Sequence, residues 1–133
     1  AGSSDHGDTT TFGGGGGGAG GPALYTGSNV IRSPGGDGIY NSITGSAVLY
    51  SQGGNAGGVS SGNNYYKADP TALGSGGRGA VGNGGAGGPG YNGIVIIAYK
   101  GPQRGTGGTI DTTSRPGYTL HKFTTPGPHT FIG

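Results

Sequence analysis

Residues 76–88 run Gly76-Gly77-Arg78-Gly79-Ala80-Val81-Gly82-Asn83-Gly84-Gly85-Ala86-Gly87-Gly88, with glycine at every third position: Gly76, Gly79, Gly82, Gly85 and Gly88. An interleaved register continues through Gly84, Gly87, Gly90 and Gly93. A repeat of three matches the polyproline-II helix, which has ~3 residues per turn and a rise of ~3.1 Å. It matches neither the 3.6 residues of an α-helix nor the alternation of a strand. Glycine on each turn leaves a face without side chains, against which a second backbone can pack. The period therefore predicts extended glycine helices joined through their backbones, with these five glycines on the packed face.

The rest of the composition fits that prediction. The chain holds 38 glycines and 8 prolines in 133 residues, and only 29% of it is hydrophobic, too little for a conventional core. Such a composition often marks disorder. Charge is nevertheless low, at 9%, whereas unfolded chains are usually charge-rich. Eight tyrosines and the apolar run Ile94-Val95-Ile96-Ile97-Ala98-Tyr99 would also be costly to leave in water. We expect an ordered chain. Each ordered glycine loses much backbone entropy, so the packing should be dense and shared between copies.

Several function classes lose support here. The basic residues Arg32, Lys67, Arg78, Lys100, Arg104, Arg115 and Lys122 are scattered, net charge is +2, and no basic cluster suits a nucleic acid. Cysteine is absent, so there is neither a disulfide framework nor a thiolate metal site. No apolar run is long enough to cross a membrane as a helix, and no membrane insertion is expected. The first residue, Ala1, reads as the start of a processed or truncated product. The glycine tracts lack the Gly-Lys-Ser/Thr ending of a phosphate-binding loop. No nucleophile elbow is present, and glutamate is absent. We expect no enzyme activity and no cofactor. Asp5-His6-Gly7-Asp8 could in principle hold a cation, but its polar terminal context reads as solvated loop.

Along the chain, residues 1–11 are polar and residues 13–21 nearly pure glycine. Ile39-Tyr40 and Ala47-Val48-Leu49-Tyr50 read as two short strands turned at Gly45-Ser46. Residues 51–64 return to Gly, Ser and Asn, and Tyr65-Tyr66 begins an aromatic insertion that reads as exposed. Ile94–Tyr99, bounded by Gly93 and Gly101-Pro102, reads as a strand buried on both faces. Residues 118–132 read as a hairpin turned at Thr125-Pro126-Gly127-Pro128, with Leu120 and Phe123 on opposite faces of its first arm. No window supports an α-helix.

The motif Asn41-Ser-Ile-Thr-Gly-Ser-Ala-Val-Leu-Tyr50, a glycine-rich run, and then Gly90-Tyr-Asn-Gly-Ile-Val-Ile-Ile-Ala-Tyr99 resemble the glycine-rich domain of bacteriophage tail fibres and other virion surface proteins. Phe12–Gly21 and the hairpin-like Tyr118–Phe131 fit the same family, whose hairpin, however, precedes the "GIVII" strand. Here it follows. That order suggests either a piece of a tandem array or strands donated to a neighbouring subunit. The domain reading is a glycine-rich module over 1–101, a linker over 102–117, and a hairpin over 118–133 that begins the next copy or is donated.

The fold class expected is all-β with polyglycine-II helices: a small β-sandwich-like module of glycine-rich packed segments, with no α-helix. The resemblance implies a structural, non-catalytic fibre component at the cell exterior or virion surface, forming a homo-oligomer as a trimeric fibre or filament. It also implies contact with a host-surface glycan or outer-membrane protein. Assembly contacts are assigned to Ile94, Val95, Ile96, Ile97, Leu120, Phe123, Phe131 and Ile132. Receptor contact is assigned to Asn63, Asn64, Tyr65 and Tyr66, where aromatic rings beside adaptable polar groups resemble a paratope. A packing role for the tyrosines, capping glycine helices, stays equally open. The rival function is a self-assembling extracellular filament subunit held by exchange of its C-terminal strands.

Overall fold

The computed structural model describes residues 15–23, 34–60, 63–66, 70–80 and 86–133. Among them no helix occurs, and the chain is all-β with extended glycine segments. The strands are β1 (Ile39–Asn41), β2 (Val48–Tyr50), β3 (Gly57–Ser60), β4 (Asn63–Tyr66), β5 (Val95–Lys100), β6 (Thr109–Asp111) and β7 (Tyr118–Phe123). β1 pairs with β2, β3 with β4, and the remaining strands form a three-stranded sheet in the order β5-β7-β6. The chain divides into two compact units, Ala1–Ile39 with Tyr50–Tyr91, and Tyr40–Leu49 with Asn92–Gly133.

The first unit is held by its backbone. Gly16 and Ala19 donate N–H bonds to the carbonyls of Gly54 and Ser51, at 2.8 and 2.9 Å. Gly76 and Gly79 donate to Gln52 and Asn55, at 2.9 and 2.8 Å, and Gly88 and Tyr91 donate to Arg78 and Ser75, at 3.0 and 2.8 Å. In each case the bonds between two segments recur every three residues, whereas a pleated antiparallel ladder repeats every two. A third set closes the group: Gly36 donates to Gly16, and Gly53 to Gly36. Three glycine segments are thus mutually bonded.

Side chains contribute little to this interior. Among the described residues the buried ones are Ala56, Asn55 and Ser75. The Asn55 Oδ1 accepts the Gly35 N–H at 3.1 Å, and the Ser75 Oγ accepts that of Gln52 at 3.0 Å, so the buried polar atoms extend the backbone network. The close approach explains the glycine content. A methyl group at Gly35 would fall on the Gly53 carbonyl, one at Gly54 on that of Gly77, and one at Gly77 on that of Gly88.

Among the described glycines the tightest approaches therefore lie outside the periodic set read from sequence. Of that set, Gly76, Gly79 and Gly88 supply N–H donors to neighbouring segments, while Gly82 and Gly85 lie outside the described residues.

The second unit has a small side-chain core on β7, with Thr119, Leu120 and His121 fully buried and Phe123 nearly so. Leu120 and Phe123 do cover opposite faces. β7 pairs antiparallel with β5 (Ile97 opposite His121) and with β6 (Ile110 opposite His121).

Four sequence expectations differ from the structure. The buried central strand is β7 rather than 94–99; β5 is an edge strand, and Val95 is 60% exposed. The two arms of the expected 118–132 hairpin do not pair with each other. Both edges of β7 are already occupied by β5 and β6, so the returning chain crosses the sheet face, and Ile132 bridges to Thr106 instead. Residues 102–117, expected as linker, contribute β6. Residues 63–66, expected within loop, form β4, in register with 57–60 so that Tyr65 is opposite Gly58 and Tyr66 opposite Gly57.

The β1–β2 ribbon falls where two short strands were expected. Its turn includes Gly45 at φ +97°, and the Asn41 Oδ1 accepts the Ile43 N–H at 2.8 Å.

Candidate functional site: the C-terminal clasp and its groove

Strand alternation puts Thr119, His121 and Phe123 on one face of the sheet. Their partners Tyr99, Ile97 and Val95 on β5 share that face, as does Ile110 on β6. The chain then returns across this face. The Phe131 ring meets His121 edge-on at 4.9 Å between centroids, and His129 lies 5.5 Å from Phe123. Reciprocal backbone bonds between Thr106 and Ile132, at 2.8 and 3.1 Å, clasp the tail down. Gly105 and Gly107 permit the approach, because a side chain at either would strike the backbone of the tail. Gly107 also stands at φ +110°.

The buried imidazole is fully engaged. His121 Nδ1 lies 2.7 Å from the Gly107 carbonyl oxygen, which can only accept, so Nδ1 carries a proton. Nε2 lies 3.1 Å from the Tyr99 hydroxyl. That hydroxyl accepts the Arg104 and Gly105 N–H groups at 2.9 and 3.2 Å, which occupies both lone pairs. Its own hydrogen is left to donate to Nε2. The network thus selects the Nδ1–H tautomer, and it ties β5, the 104–107 loop and β7 to one point. Arg104 completes it, with its guanidinium 5.3 Å from the Tyr99 ring centroid and its Nη2 donating to the Lys100 carbonyl at 3.0 Å.

Beside the clasp lies an apolar groove of about 310 Å³, lined by Val95, Ile97, Phe123, Gly127, His129 and Phe131. The His129 Nε2 donates to the Thr125 carbonyl at 2.7 Å. The groove offers apolar contact, while its one imidazole, His129, is committed to that bond.

On the opposite face Asp111 organises the β6–β7 connection. Its carboxylate accepts the Thr113 and Ser114 N–H groups, both at 2.9 Å, and the Ser114 hydroxyl at 2.5 Å. Lys122, diagonal to it across the strands, pairs with it at 2.5 Å. The Lys122 bond, followed by those from Ser114 and Thr113, holds the carboxyl well below its ordinary value of 3.8. Next to this connection the Arg115 guanidinium stacks 3.7 Å from the Tyr118 ring centroid.

The residues assigned to assembly separate into three groups. Leu120 and Phe123 are buried in the chain's own core, whereas Val95 and Ile132 are largely exposed. Ile94, Ile96, Ile97 and Phe131 are half-buried. Asn63, Asn64, Tyr65 and Tyr66 share β4, but their side chains lie outside the described residues, as does Asp5-His6-Gly7-Asp8. Among the described residues no group of three His, Asp or Glu side chains is placed to hold a metal ion.

Sequence reading missed the Tyr99–His121 pair, because residues 22 positions apart meet only once the strands register. The Asp111 turn did leave a local signal. An aspartate two and three residues ahead of Thr113 and Ser114 is a side-chain-to-backbone turn pattern. Compared with protein-family models, curated proteins and solved structures, the chain matches none.

Proposed function

We propose that this chain is a structural, non-catalytic module of an extracellular or virion fibre, of the kind its motifs resemble in phage tail fibres. Its fold class would be a sandwich-like all-β module whose glycine segments are polyglycine-II helices. One observation carries the reading: backbone bonds between glycine segments recur every three residues in three separate pairings. Such packing needs few side chains for cohesion and is stiff, because each segment is tied laterally through its backbone. Loops and strand ends are then free for display. Asn63, Asn64, Tyr65 and Tyr66 would be the receptor-facing set, for a host-surface glycan or an outer-membrane protein.

The rival, a filament subunit joined by exchange of C-terminal strands, requires β7 to leave its own sheet. The pairing of β7 with both β5 and β6 of the same chain favours the first reading.

A disulfide between Lys100→Cys and Tyr118→Cys decides between them. These residues are direct cross-strand partners, and the natural chain has no cysteine to interfere. Opposed strand residues lie within disulfide reach, with Cα atoms about 4.5–5.5 Å apart. Negative-stain microscopy of the oxidised variant should show the same particles as the unmodified chain. Filaments that form only from the reduced variant would sink the fibre-module reading and establish exchange. Host binding lost on Tyr65→Ala/Tyr66→Ala, with particles unchanged, would support the receptor role; unchanged binding would remove it.

A further inference from the structure

β5 is an edge strand, with β7 on its inner side. The Gly101 N–H donates to the Gly117 carbonyl at 2.8 Å, on the register line that pairs Val95 with Phe123. In an antiparallel ladder, hydrogen-bonded and non-bonded pairs alternate. Val95, Ile97 and Tyr99 therefore turn their N–H and C=O groups toward β7. Ile96, Ala98 and Lys100 turn theirs outward. Arg104 Nη2 satisfies the Lys100 carbonyl. Among the described residues no strand pairs with the outer edge at Ile96 and Ala98.

Exposed edges are normally blunted by a central lysine, a proline, a bulge or shortness. β6, the other edge, is three residues long and ends on Asp111. β5 is six residues long, and its first five, Val-Ile-Ile-Ala-Tyr, include no charge, proline or glycine.

We propose that the outer edge of β5 binds the β5 edge of a second copy of this chain, antiparallel, about a two-fold axis at Ile97. Three strands from each copy would then form one continuous sheet. Backbone parity selects this register. With Ile97 opposite Ile97 of the second copy, outward-facing Ile96 meets outward-facing Ala98, and the bonds are reciprocal. Val95 falls opposite Tyr99, an apolar–aromatic pair sharing one face, and Lys100 falls opposite Ile94.

Charge selects the direction. Antiparallel pairing separates the two Lys100 residues by six residue steps, about 20 Å at ~3.3 Å per residue, beyond a Debye length of ~8 Å. Parallel pairing would set them side by side. The edge needs neither the fibre reading nor a receptor to be correct, so the two stand or fall separately.

Two variants test it. Ala98→Pro removes an outward N–H but no bond to β7, and proline is tolerated at such edge positions. The unmodified chain at micromolar concentration and above should show twice its 12.7 kDa mass by light scattering, and Ala98→Pro should remain at 12.7 kDa with an unchanged circular dichroism spectrum. Ile97→Cys, lying opposite itself, should oxidise to a covalent dimer. Val95→Cys, four residue steps from its counterpart, should not.

A chain that stays monomeric at all concentrations would overturn the proposal, as would a dimer that survives Ala98→Pro. So would cross-linking through Val95→Cys in preference to Ile97→Cys, which would also reveal a different register. Should Ala98→Pro unfold, the cysteine pair decides alone.

Discussion

Replacing Gly54 by alanine should destabilise the first unit far more than its size suggests. The added methyl would be driven into the carbonyl of Gly77, with the Gly77 carbonyl carbon at 2.5 Å and the Arg78 nitrogen at 3.2 Å. Every obstructing atom is backbone, so no side chain can swing away. Segment 76–79 must retreat, and its two bonds to Gln52 and Asn55 stretch or break. Each bond contributes about 1 kcal/mol net. Overpacking adds about 1–3 kcal/mol. Alanine also lowers unfolded-state entropy, returning about 0.4–1 kcal/mol. The net loss is roughly 2–5 kcal/mol, a large fraction of the ~5–15 kcal/mol that holds a typical domain.

Gly21→Ala is the matched control. Nothing lies within 4 Å of the methyl it would add, so it should be neutral or slightly stabilising. Denaturant unfolding followed by circular dichroism, with hydrogen exchange at Gly76 and Gly79, measures both. Equal effects from the two substitutions would refute backbone-on-backbone cohesion.

Leu120→Ala should cost about 2–5 kcal/mol, since this fully buried side chain fills the small core of the second unit; its unfolding midpoint measures the loss. Tyr99→Phe deletes the hydroxyl shared by His121, Arg104 and Gly105. It should cost about 1–3 kcal/mol by stranding buried groups, and exchange protection of the Arg104 and Gly105 amides should fall. Asp111 has a lowered folded-state pKa, so its stabilisation is fully present above its unfolded value near 3.8 and declines as pH falls below that. Asp111→Asn should therefore be less stable than the natural chain at neutral pH, with the gap closing on acidification. Denaturant midpoints measured across that range would show it.

The local elements were legible where local chemistry alone decides them. The β1–β2 ribbon announces itself through its flanking apolar residues and the Gly45-Ser46 turn, and the apolar run 94–99 had to be a strand. Glycine at every third residue foretold bonding between glycine segments, and the bonds do recur at that interval. Composition held too few apolar residues for a conventional core across the chain; the side-chain core of the described residues is small and centres on Leu120 and Phe123. In the second unit, the spacing of Leu120 and Phe123 correctly signalled burial on both faces of their strand.

Tertiary structure decided the rest. An apolar run reads the same at an edge as at a centre, because centrality depends on how many partners a strand acquires. Residues 118–123 took the centre by pairing on both sides, leaving 94–99 at the edge and sending the tail across the face. Which glycines admit no methyl group was equally undetermined locally. Gly54 and Gly21 are alike in sequence, and they differ through the carbonyl that packing brings against one of them. The Tyr99–His121 network needed a register, and a register belongs to two strands at once. Periodicity is a property of one segment; burial, edge and contact are properties of pairs.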